Sequence, residues 1–396
     1  MYVLVANLGS TSFKYRLFDM TDEKQIARGG AERIGSPESA CFVEIGGKRR
    51  DTVAHLPDHA AAVREALERL CDPGFGCLQD PSEVSAIGFK AVHGGRVSGV
   101  QRVTPDVLDA MAEMNATAPA HNPPYIAAMK LLGEKLPEIP LVAAFETGFH
   151  LTIPPRLRRY AIPEEWAQEF KIERWGFHGA SHRFISQRIA ELTGKGKGRV
   201  VSCHLGGSSS LTAIRDGKSV MTTMGMSPQS GLPQNNRVGD FDLYALPILM
   251  ERTGKSLDQI LTELGSKGGL LGVSGVSGDI RDVEAAAKEG NDRAQLALDV
   301  YVSEIRRNLG GMLVEMGGID VIVFTGGIGE NGVGIRRAVC ANLEDLGIRL
   351  DETKNAAAKG EGAIHADDSR TEIWIVPTNE ELVVARQTRD LLRAAR

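Results

Sequence analysis

Two segments, at the start and in the middle of the chain, share one pattern. Val5-Ala6-Asn7-Leu8-Gly9-Ser10-Thr11-Ser12 recurs in outline as Cys203-His204-Leu205-Gly206-Gly207-Ser208-Ser209. In each, an apolar strand runs into a Leu-Gly turn rich in small hydroxyl residues and leaves as another strand. Since the chain has 396 residues and a domain takes about 150, the repeat predicts two domains that open with the same hairpin.

Between these hairpins, short β-branched runs alternate with longer segments of helical period, which predicts an α/β fold with a mostly parallel sheet. The predicted strands are Tyr2 to Ala6, Phe13 to Phe18, Ala86 to Val92, Leu141 to Phe145, Arg199 to His204, Leu211 to Arg215, Val321 to Thr325 and Glu372 to Pro377. The predicted helices are Ala60 to Cys71, Pro105 to Met114, Pro124 to Glu134, Gly179 to Thr193, Phe241 to Thr253, Ser256 to Leu264, Ala294 to Met316, Gly334 to Leu346 and Glu380 to Ala395.

Glycine-rich turns of this kind are candidate phosphate sites. Glycine allows close backbone approach and positive φ, and serine adds hydroxyl donors, so the turn can direct several N–H groups at an anion. One copy is more simply an ordinary tight turn, whereas two copies favour phosphate binding. A third cluster, residues 324–331, follows an apolar strand and suits a nucleotide, and the Walker sequence of P-loop enzymes is missing.

Composition limits the class of binding partner and the cellular compartment that we expect. The net charge of −5, with no basic block, argues against nucleic acid and favours a small-molecule partner. The five cysteines are odd in number and lack metal-ligand spacing, which favours a reducing compartment. Tyr2 to Ala6 reads as a strand rather than an export signal, and no apolar run reaches the roughly 20 residues of a membrane span. We therefore expect a cytoplasmic protein that does not enter a membrane.

An ordered set of motifs resembles the acetate kinase (acetokinase) family, within the superfamily of acetate and sugar kinases, Hsp70 and actin. The resemblance covers nearly the whole chain. The motifs are Asn7 to Lys14, Val92-His93-Gly94-Gly95, His121-Asn122-Pro123-Pro124, Gly176-Phe177-His178-Gly179, Arg237-Val238-Gly239-Asp240, Gly272 to Asp282, Gly327 to Asn331 and Thr378-Asn379-Glu380-Glu381.

The resemblance implies a fold, a reaction and an assembly. The fold would be two duplicated actin-like ATPase (ribonuclease H-like) domains with a cleft, residues 1–148 plus 382–396 and residues 149–381, the second also serving dimerisation. The reaction would be reversible transfer of a phosphoryl group between ATP and acetate, giving acetyl phosphate and ADP. The cofactor would be Mg²⁺, with Mn²⁺ an option, and the enzyme would be a homodimer.

The chemistry needs cations more than a base, because a carboxylate acceptor is already ionised at neutral pH. Arg237 is the first candidate, since a guanidinium grips a planar oxyanion in two places, although it could be a surface salt bridge. His178 matches the family histidine at the transferred phosphoryl, although a core histidine is the alternative. Asn7 and Glu380 match the magnesium site, and Glu380 could instead be a helix-start charge.

The nucleotide residues also come from the resemblance. Those predicted to contact ATP or ADP are Ser10, Ser12, Lys14, His204, Gly206, Gly207, Ser208, Asp279, Ile280, Arg281, Gly327, Ile328 and Asn331.

Several positions depart from the family pattern on the acceptor side. Lys90 stands where the family usually has Arg, Arg96 where it has Glu, and Glu146, a catalytic candidate, where it has Asp. Arg96 could replace the lost guanidinium or be a solvated loop residue. In the second turn, Gly207 replaces the usual Asn, which predicts the loss of a side-chain amide contact, and Asn235 replaces a usual Gly.

The acceptor pocket, Val92, Ala120, Phe177 and Pro228, has Ala120 where the family has Leu. Because each methylene is worth roughly 1 to 3 kcal/mol in such a pocket, propionate or a larger acid could rival acetate. Two alternatives therefore stay open: another short-chain carboxylate kinase, and a nucleotide-binding relative that has lost transfer activity.

Overall fold

The computed structural model describes residues 1–119, 121–194 and 198–394. The chain forms two compact units, a first unit of Met1–Gly148 with Asn379–Arg396 and a second unit of Phe149–Thr378. The sequence prediction placed residues 379–381 with the second unit. They lie in the first, where Glu381 accepts a hydrogen bond from Asn7 and Glu380 one from Lys90.

The strands are numbered in chain order. They are β1 (Tyr2–Leu8), β2 (Ser12–Asp19), β3 (Lys24–Glu32), β4 (Ser39–Ile45), β5 (Lys48–Ala54), β6 (Val84–Ala91), β7 (Val100–Arg102), β8 (Leu141–Phe145), β9 (Arg199–Leu205), β10 (Ser209–Arg215), β11 (Lys218–Thr222), β12 (Val321–Thr325), β13 (Gly362–Ala363) and β14 (Glu372–Ile375).

The helices follow the same order. They are α1 (His59–Leu70), α2 (Pro105–Glu113), α3 (Asn122–Lys135), α4 (Pro155–Arg158), α5 (Glu164–Glu169), α6 (Gly179–Thr193), α7 (Ala245–Thr253), α8 (Leu257–Ser266), α9 (Gly269–Ser274), α10 (Ile280–Lys288), α11 (Asp292–Met316), α12 (Gly326–Asn331), α13 (Val333–Cys340), α14 (Glu352–Ala357) and α15 (Glu380–Ala394), with 3₁₀ turns at Pro81–Glu83, Glu146–Thr152 and Glu344–Leu346.

The two sheets repeat one topology. Among the described residues, the sheet of the first unit has the order β5-β4-β3-β2-β1-β6-β8-β7 and that of the second β11-β10-β9-β12-β14-β13. In each, an antiparallel hairpin (β1–β2, β9–β10) is followed by a parallel strand beside its first strand (β6, β12) and a further parallel strand (β8, β14). The predicted α/β duplication is confirmed. The prediction of a mostly parallel sheet was wrong: among the described residues most neighbouring strands in both sheets are antiparallel, because strands joined by short turns pair as hairpins.

Local signals account for several helix boundaries. Asp58 and Thr104 cap α1 and α2 by accepting hydrogen bonds from Ala61 N and Val107 N. The predicted helix Gly334 to Leu346 was too long. Helix α13 ends at Cys340 because Ala341 is extended and Asn342 has φ +58°, which no right-handed helix accommodates.

Each unit has its own apolar core. In the first, α1 and α3 pack on one face of the sheet, and Val3, Val5 and Phe18 on the other face meet Val384 and Ala385 of α15. In the second, β9, β10 and β12 pack against α11. In the described ranges, the chain has no helix both long enough and apolar enough to cross a bilayer.

Candidate active site

In the second unit, the turn between β9 and β10 adjoins the glycine-rich helix α12. The Gly327 nitrogen lies 3.8 Å from where a Cβ on Gly206 would stand. Gly326 has φ +76°, and a Cβ there would lie 2.7 Å from the Leu205 carbonyl oxygen, so this approach requires glycine. The predicted phosphate turn and nucleotide loop are therefore neighbours.

The turn is braced by the segment that carries Arg237. The Ser208 hydroxyl donates to Gln234 Oε1 at 2.8 Å, and Asn235 N donates to the Gly207 carbonyl at 3.2 Å. A Cβ on Gly207 would stand 3.2 Å from Asn235 Nδ2. Asn235 thus brings a side-chain amide next to the turn in which position 207 has none.

Arg237 is half-buried and directed at neutral groups. Its guanidinium donates weakly to Gln234 Oε1 at 3.2 Å and to the Pro228 carbonyl at 3.5 Å. Burial lowers the pKa of Arg237, although a guanidinium stays charged at neutral pH. No carboxylate of the described residues forms an ion pair with Arg237. Its charge is thus suited to a bound anion. The alternative that the sequence left open, a surface salt bridge, is not found among the described residues.

His178 precedes α6 and belongs to a histidine cluster. Its φ of +56° is left-handed, a strained conformation that is often associated with functional sites. The His178 ring stacks on His204 with centroids 4.2 Å apart, and Nδ1 lies 2.8 Å from the Ser210 hydroxyl. His204 Nδ1 lies 2.8 Å from the Ser181 hydroxyl. His178 is half-buried rather than a core residue.

In the first unit, the end of β1 meets the start of α15. Asn7 Nδ2 donates to Glu381 Oε1 at 3.2 Å, and Arg16 lies 3.7 Å from Glu381. Asn7 Oδ1 is buried and accepts no hydrogen bond from the residues described. Within those residues, no three His, Cys, Asp or Glu side chains are grouped to hold a metal ion.

Lys90 on β6 completes this cluster. Its ammonium group donates to Glu380 Oε2 at 2.5 Å, with the two side chains 30% and 13% exposed. Burial alone would lower the pKa of Lys90, but the carboxylates of Glu380 and Glu146 outweigh it and raise that pKa. Glu146 itself is buried at the start of its 3₁₀ turn. Lys90 therefore contacts the predicted metal ligand Glu380.

A family model described as the acetokinase family matches residues 2–386. The chain belongs to the acetokinase family. It is 41% identical over 396 residues to an acetate kinase of Alkaliphilus metalliredigens, with 99% of this chain and 100% of that protein covered. Its structure is similar to Porphyromonas gingivalis acetate kinase (38% identity, TM-score 0.90, 99% of each chain). It is also similar to a Francisella tularensis propionate kinase (31% identity, TM-score 0.89, 98% and 99% covered).

These findings confirm the predicted acetokinase family and the duplicated actin-like fold. The individual site residues stay predictions, and they differ from one another in exposure. Ser10 and Lys14 are exposed on the β1–β2 hairpin and Ser12 is half-buried there, while Val92 is half-buried in the loop after β6. Ala120 lies outside the described residues.

Two of the predicted site residues, Arg96 and Ile280, have surroundings that bear on their expected roles. The Arg96 guanidinium is held by Asp106 and Glu113 of α2, at 2.7 and 3.2 Å, which favours the solvated loop residue. Ile280 is a core residue, so its side chain is not exposed for the predicted nucleotide contact.

Asp279 and Arg281 form an exposed ion pair at the start of α10. Arg281 lowers the pKa of Asp279 to about 2 by donating to its carboxylate. Further along, Ile328 is buried, Gly327 is exposed, and Asn331 Nδ2 donates to the Gly327 carbonyl at 2.9 Å. Phe177 and Pro228 are both buried, and the Phe177 carbonyl lies 2.9 Å from His150 Nε2.

Sequence reasoning missed the residues that support this acetokinase site. In the second unit Asn235 and Ser210 contact the predicted residues Gly207 and His178, and His182 contacts Ser210; in the first unit Glu381 contacts Asn7. Gly207 stands where the family usually has Asn, and Asn235 where it usually has Gly. This reciprocal exchange was a signal that could have linked the two positions. Ser210 and His182 carried no such signal because their contacts come from separate elements.

Proposed function

We propose that this chain is an acetate kinase, transferring the γ-phosphoryl group of ATP to acetate, with Mg²⁺, as a homodimer in the cytoplasm. The observation that carries the proposal is Arg237, a half-buried guanidinium without a carboxylate partner among the described residues, placed beside the Gly206–Ser208 turn. The family and its acetate kinase members support the same reaction.

The second unit contains side chains suited to phosphoryl transfer. Acetate is ionised at neutral pH, so charge repulsion rather than proton removal is the obstacle. Arg237 would grip the equatorial oxygens of the planar phosphoryl group, and His178 would donate a hydrogen bond to it. The turn N–H groups and Asn235 would hold the neighbouring phosphates, with the adenosine on α12.

The first unit has a donor set that fits Mg²⁺. Asn7 Oδ1 is a buried oxygen without a donor among the described residues, and the carboxylates of Glu380 and Glu381 lie at the same end of the sheet. Mg²⁺ takes few protein oxygens and keeps several waters, so this set is sufficient. When bound, Mg²⁺ would neutralise charge on the β- and γ-phosphates. Lys90 would keep Glu380 ionised and oriented.

The assembly and the compartment are part of the proposal. Helix α7 is rich in apolar residues yet has no buried residue, and Leu243 and Tyr244 before it are 72% and 85% exposed. Such a surface is typical of an interface, and a second copy of this chain is the proposed partner. The five cysteines are free thiols, which suits a reducing cytoplasm.

Another short-chain acid is a second candidate substrate, favoured by the similarity to a propionate kinase. Alanine at position 120, where the family has leucine, would leave room for a longer chain. The measurement is kcat/KM for acetate, propionate and butyrate. A sharp acetate optimum would exclude the enlarged pocket, and a propionate optimum would make this a propionate kinase.

The purified protein tests the whole proposal. It is incubated with Mg-ATP and each acid, and acyl phosphate is trapped as the hydroxamate. We expect product with acetate, and none without the metal ion. Tight ATP binding without acyl phosphate from any acid would instead support a nucleotide-binding relative that has lost transferase activity.

A further inference from the structure

A chain of four side chains leads from His178 into the interior of the second unit. His178 Nδ1 lies 2.8 Å from Ser210 Oγ, Ser210 Oγ lies 2.9 Å from His182 Nε2, and His182 Nδ1 lies 2.9 Å from Ser202 Oγ. Ser210, His182 and Ser202 are fully buried. We call these four residues the histidine–serine chain.

The number of protons in this chain is limited. Burial, with help from His150 and His204, lowers the pKa of His182 well below its ordinary value, so its ring is neutral and carries one proton. The Ser210 hydroxyl carries one more. Three hydrogen bonds need three protons, so the third comes either from His178 Nδ1 or from the Ser202 hydroxyl.

Ser202 decides between the two directions. Among the described residues, His182 is the hydrogen-bond partner of the Ser202 side chain, and the hydroxyl has no second acceptor there. If His182 donated to Ser202, the buried Ser202 proton would have no acceptor, which is costly. The favoured direction is Ser202 to His182, His182 to Ser210 and Ser210 to His178.

We infer that Ser202, His182 and Ser210 are positioning residues that make His178 accept at Nδ1 and so carry its proton at Nε2 while neutral. This inference rests on the proposed function, in which His178 contacts the phosphoryl group. A neutral His178 is then a hydrogen-bond donor to a phosphoryl oxygen, and Arg237 supplies the positive charge. The chain places the proton on the nitrogen that faces away from Ser210.

Protonating His178 would reverse the chain. The added proton makes His178 donate from Nδ1 to Ser210, Ser210 to His182 and His182 to Ser202, which leaves the Ser202 hydroxyl without an acceptor. Two titratable rings face the histidine–serine chain. The His204 ring stacks on His178 with centroids 4.2 Å apart, and the His150 centroid lies 5.9 Å from that of His182, with Arg183 beside His150. None of these can accept the Ser202 proton through the contacts described.

The decisive experiment is an NMR titration of the ring nitrogens in ligand-free, ¹⁵N-histidine-labelled protein, with His178→Gln to assign the signals. Ser202→Ala removes the group that sets the direction without touching His178. We expect the titration midpoint of His178 to rise by about one pH unit or more, and part of the neutral ring to shift its proton to Nδ1. Ser219→Ala, which removes an equally buried hydroxyl 2.9 Å from His150 Nδ1, should leave the His178 midpoint unchanged.

An equal His178 midpoint in wild type and Ser202→Ala, or a wild-type His178 protonated at Nδ1 when neutral, would overturn the inference. Should Ser202→Ala fail to fold, Ser202→Cys, which keeps the side-chain size but is a weak donor, carries the same test. These readouts need no substrate. If no acyl phosphate formed in the separate assay, the proposed function would be overturned. That result would leave the inference about the histidine–serine chain to be decided by the NMR titration.

Discussion

At the scale of single residues, the departures from the family pattern are local exchanges with identifiable partners. Lys90 provides a point charge that binds Glu380 at 2.5 Å, where a guanidinium would offer a wider fork. Gly207 leaves space that the Asn235 amide approaches. The exchange at 207 and 235 changes which residue provides an amide, whereas Lys90 keeps the positive charge and loses the guanidinium.

Arg237 gives the sharpest prediction at this scale. Arg237→Lys keeps the charge and loses the two-point grip on the planar phosphoryl group, so kcat should fall by roughly 100- to 1000-fold. The thermal unfolding midpoint should not change, because the hydrogen bonds of Arg237 within the protein are long. Steady-state kinetics measure kcat, and a thermal melt measures the unfolding midpoint. Arg349→Lys, in an exposed ion pair with Asp368, is the control; a kcat within twofold of wild type for Arg237→Lys would contradict the assignment.

The paired exchange at Gly207 and Asn235 is tested by a double-mutant cycle. Asn235→Ala should raise the KM for ATP by about tenfold, the typical value of a hydrogen bond to a charged group. Gly207→Asn, added to Asn235→Ala, should restore much of the loss because it returns an amide to the same space. The neighbouring, exposed Asn236 provides Asn236→Ala as control. Independent, additive effects on KM would show that the two positions are unrelated.

At the scale of elements, two helices that begin beside the end of a strand present proposed site groups. Helix α12 begins where β12 ends, and α15 begins with Glu380 and Glu381. Each depends on an anchor: α12 on Gly326, whose positive φ allows contact with β9, and α15 on the ion pairs that Arg386 and Arg389, near its middle, form with Glu23.

Helix α12 has open space on its exposed side. A Cβ on Gly327 would meet no atom within 4 Å. Gly327→Leu should therefore fold normally and, by occupying the proposed adenosine surface, raise the KM for ATP about tenfold or more, a steric loss of order 1.4 kcal/mol. Gly310→Leu, also on a helix with open space, is the matched control. An unchanged KM for ATP in Gly327→Leu would place the adenosine elsewhere.

The anchor of α15 predicts a pH-dependent stability. Glu23 binds Arg386 and Arg389 of this helix; partial burial opposes its ionisation, but these hydrogen bonds outweigh it and lower its pKa. A lowered folded-state pKa contributes stability above the unfolded-state value, about 4.3, and that stability is lost as pH falls through the folded-state pKa.

Glu23→Gln should therefore unfold about 1 kcal/mol more easily than wild type at pH 7, and the difference should shrink below pH 4. Urea denaturation at both pH values measures it. Glu38→Gln, which changes an exposed carboxylate in the loop before β4, is the control. A difference that stays constant from pH 7 to pH 3 would mean that Glu23 does not act through its charge.

At the scale of the whole molecule, assembly leaves a prediction about surface residues. The segment of residues 241–261 exposes apolar side chains that a single copy does not cover. Charging this surface with Leu243→Asp and Ile248→Asp should halve the mass seen by analytical ultracentrifugation. Val53→Asp, equally exposed on β5 of the first unit, should leave the mass unchanged. A wild-type protein that is already monomeric at micromolar concentration would reject the dimer.

The sequence by itself determined the family, the duplicated α/β pattern and the glycine turns, because these depend on local periodicity and on residues that few backbones allow. It did not give β3 to β5, which extend the sheet outward from β2. Strand β3 pairs with β2, β4 with β3 and β5 with β4, and most residues of the outermost strand β5 are polar and exposed. It also did not give the Lys90–Glu380 contact, across 290 residues of sequence, the Asn235 amide beside Gly207, or the chain from His178 to Ser202. Those depend on which elements the fold brings side by side, and hydrogen bonds between distant residues leave no local periodicity to read.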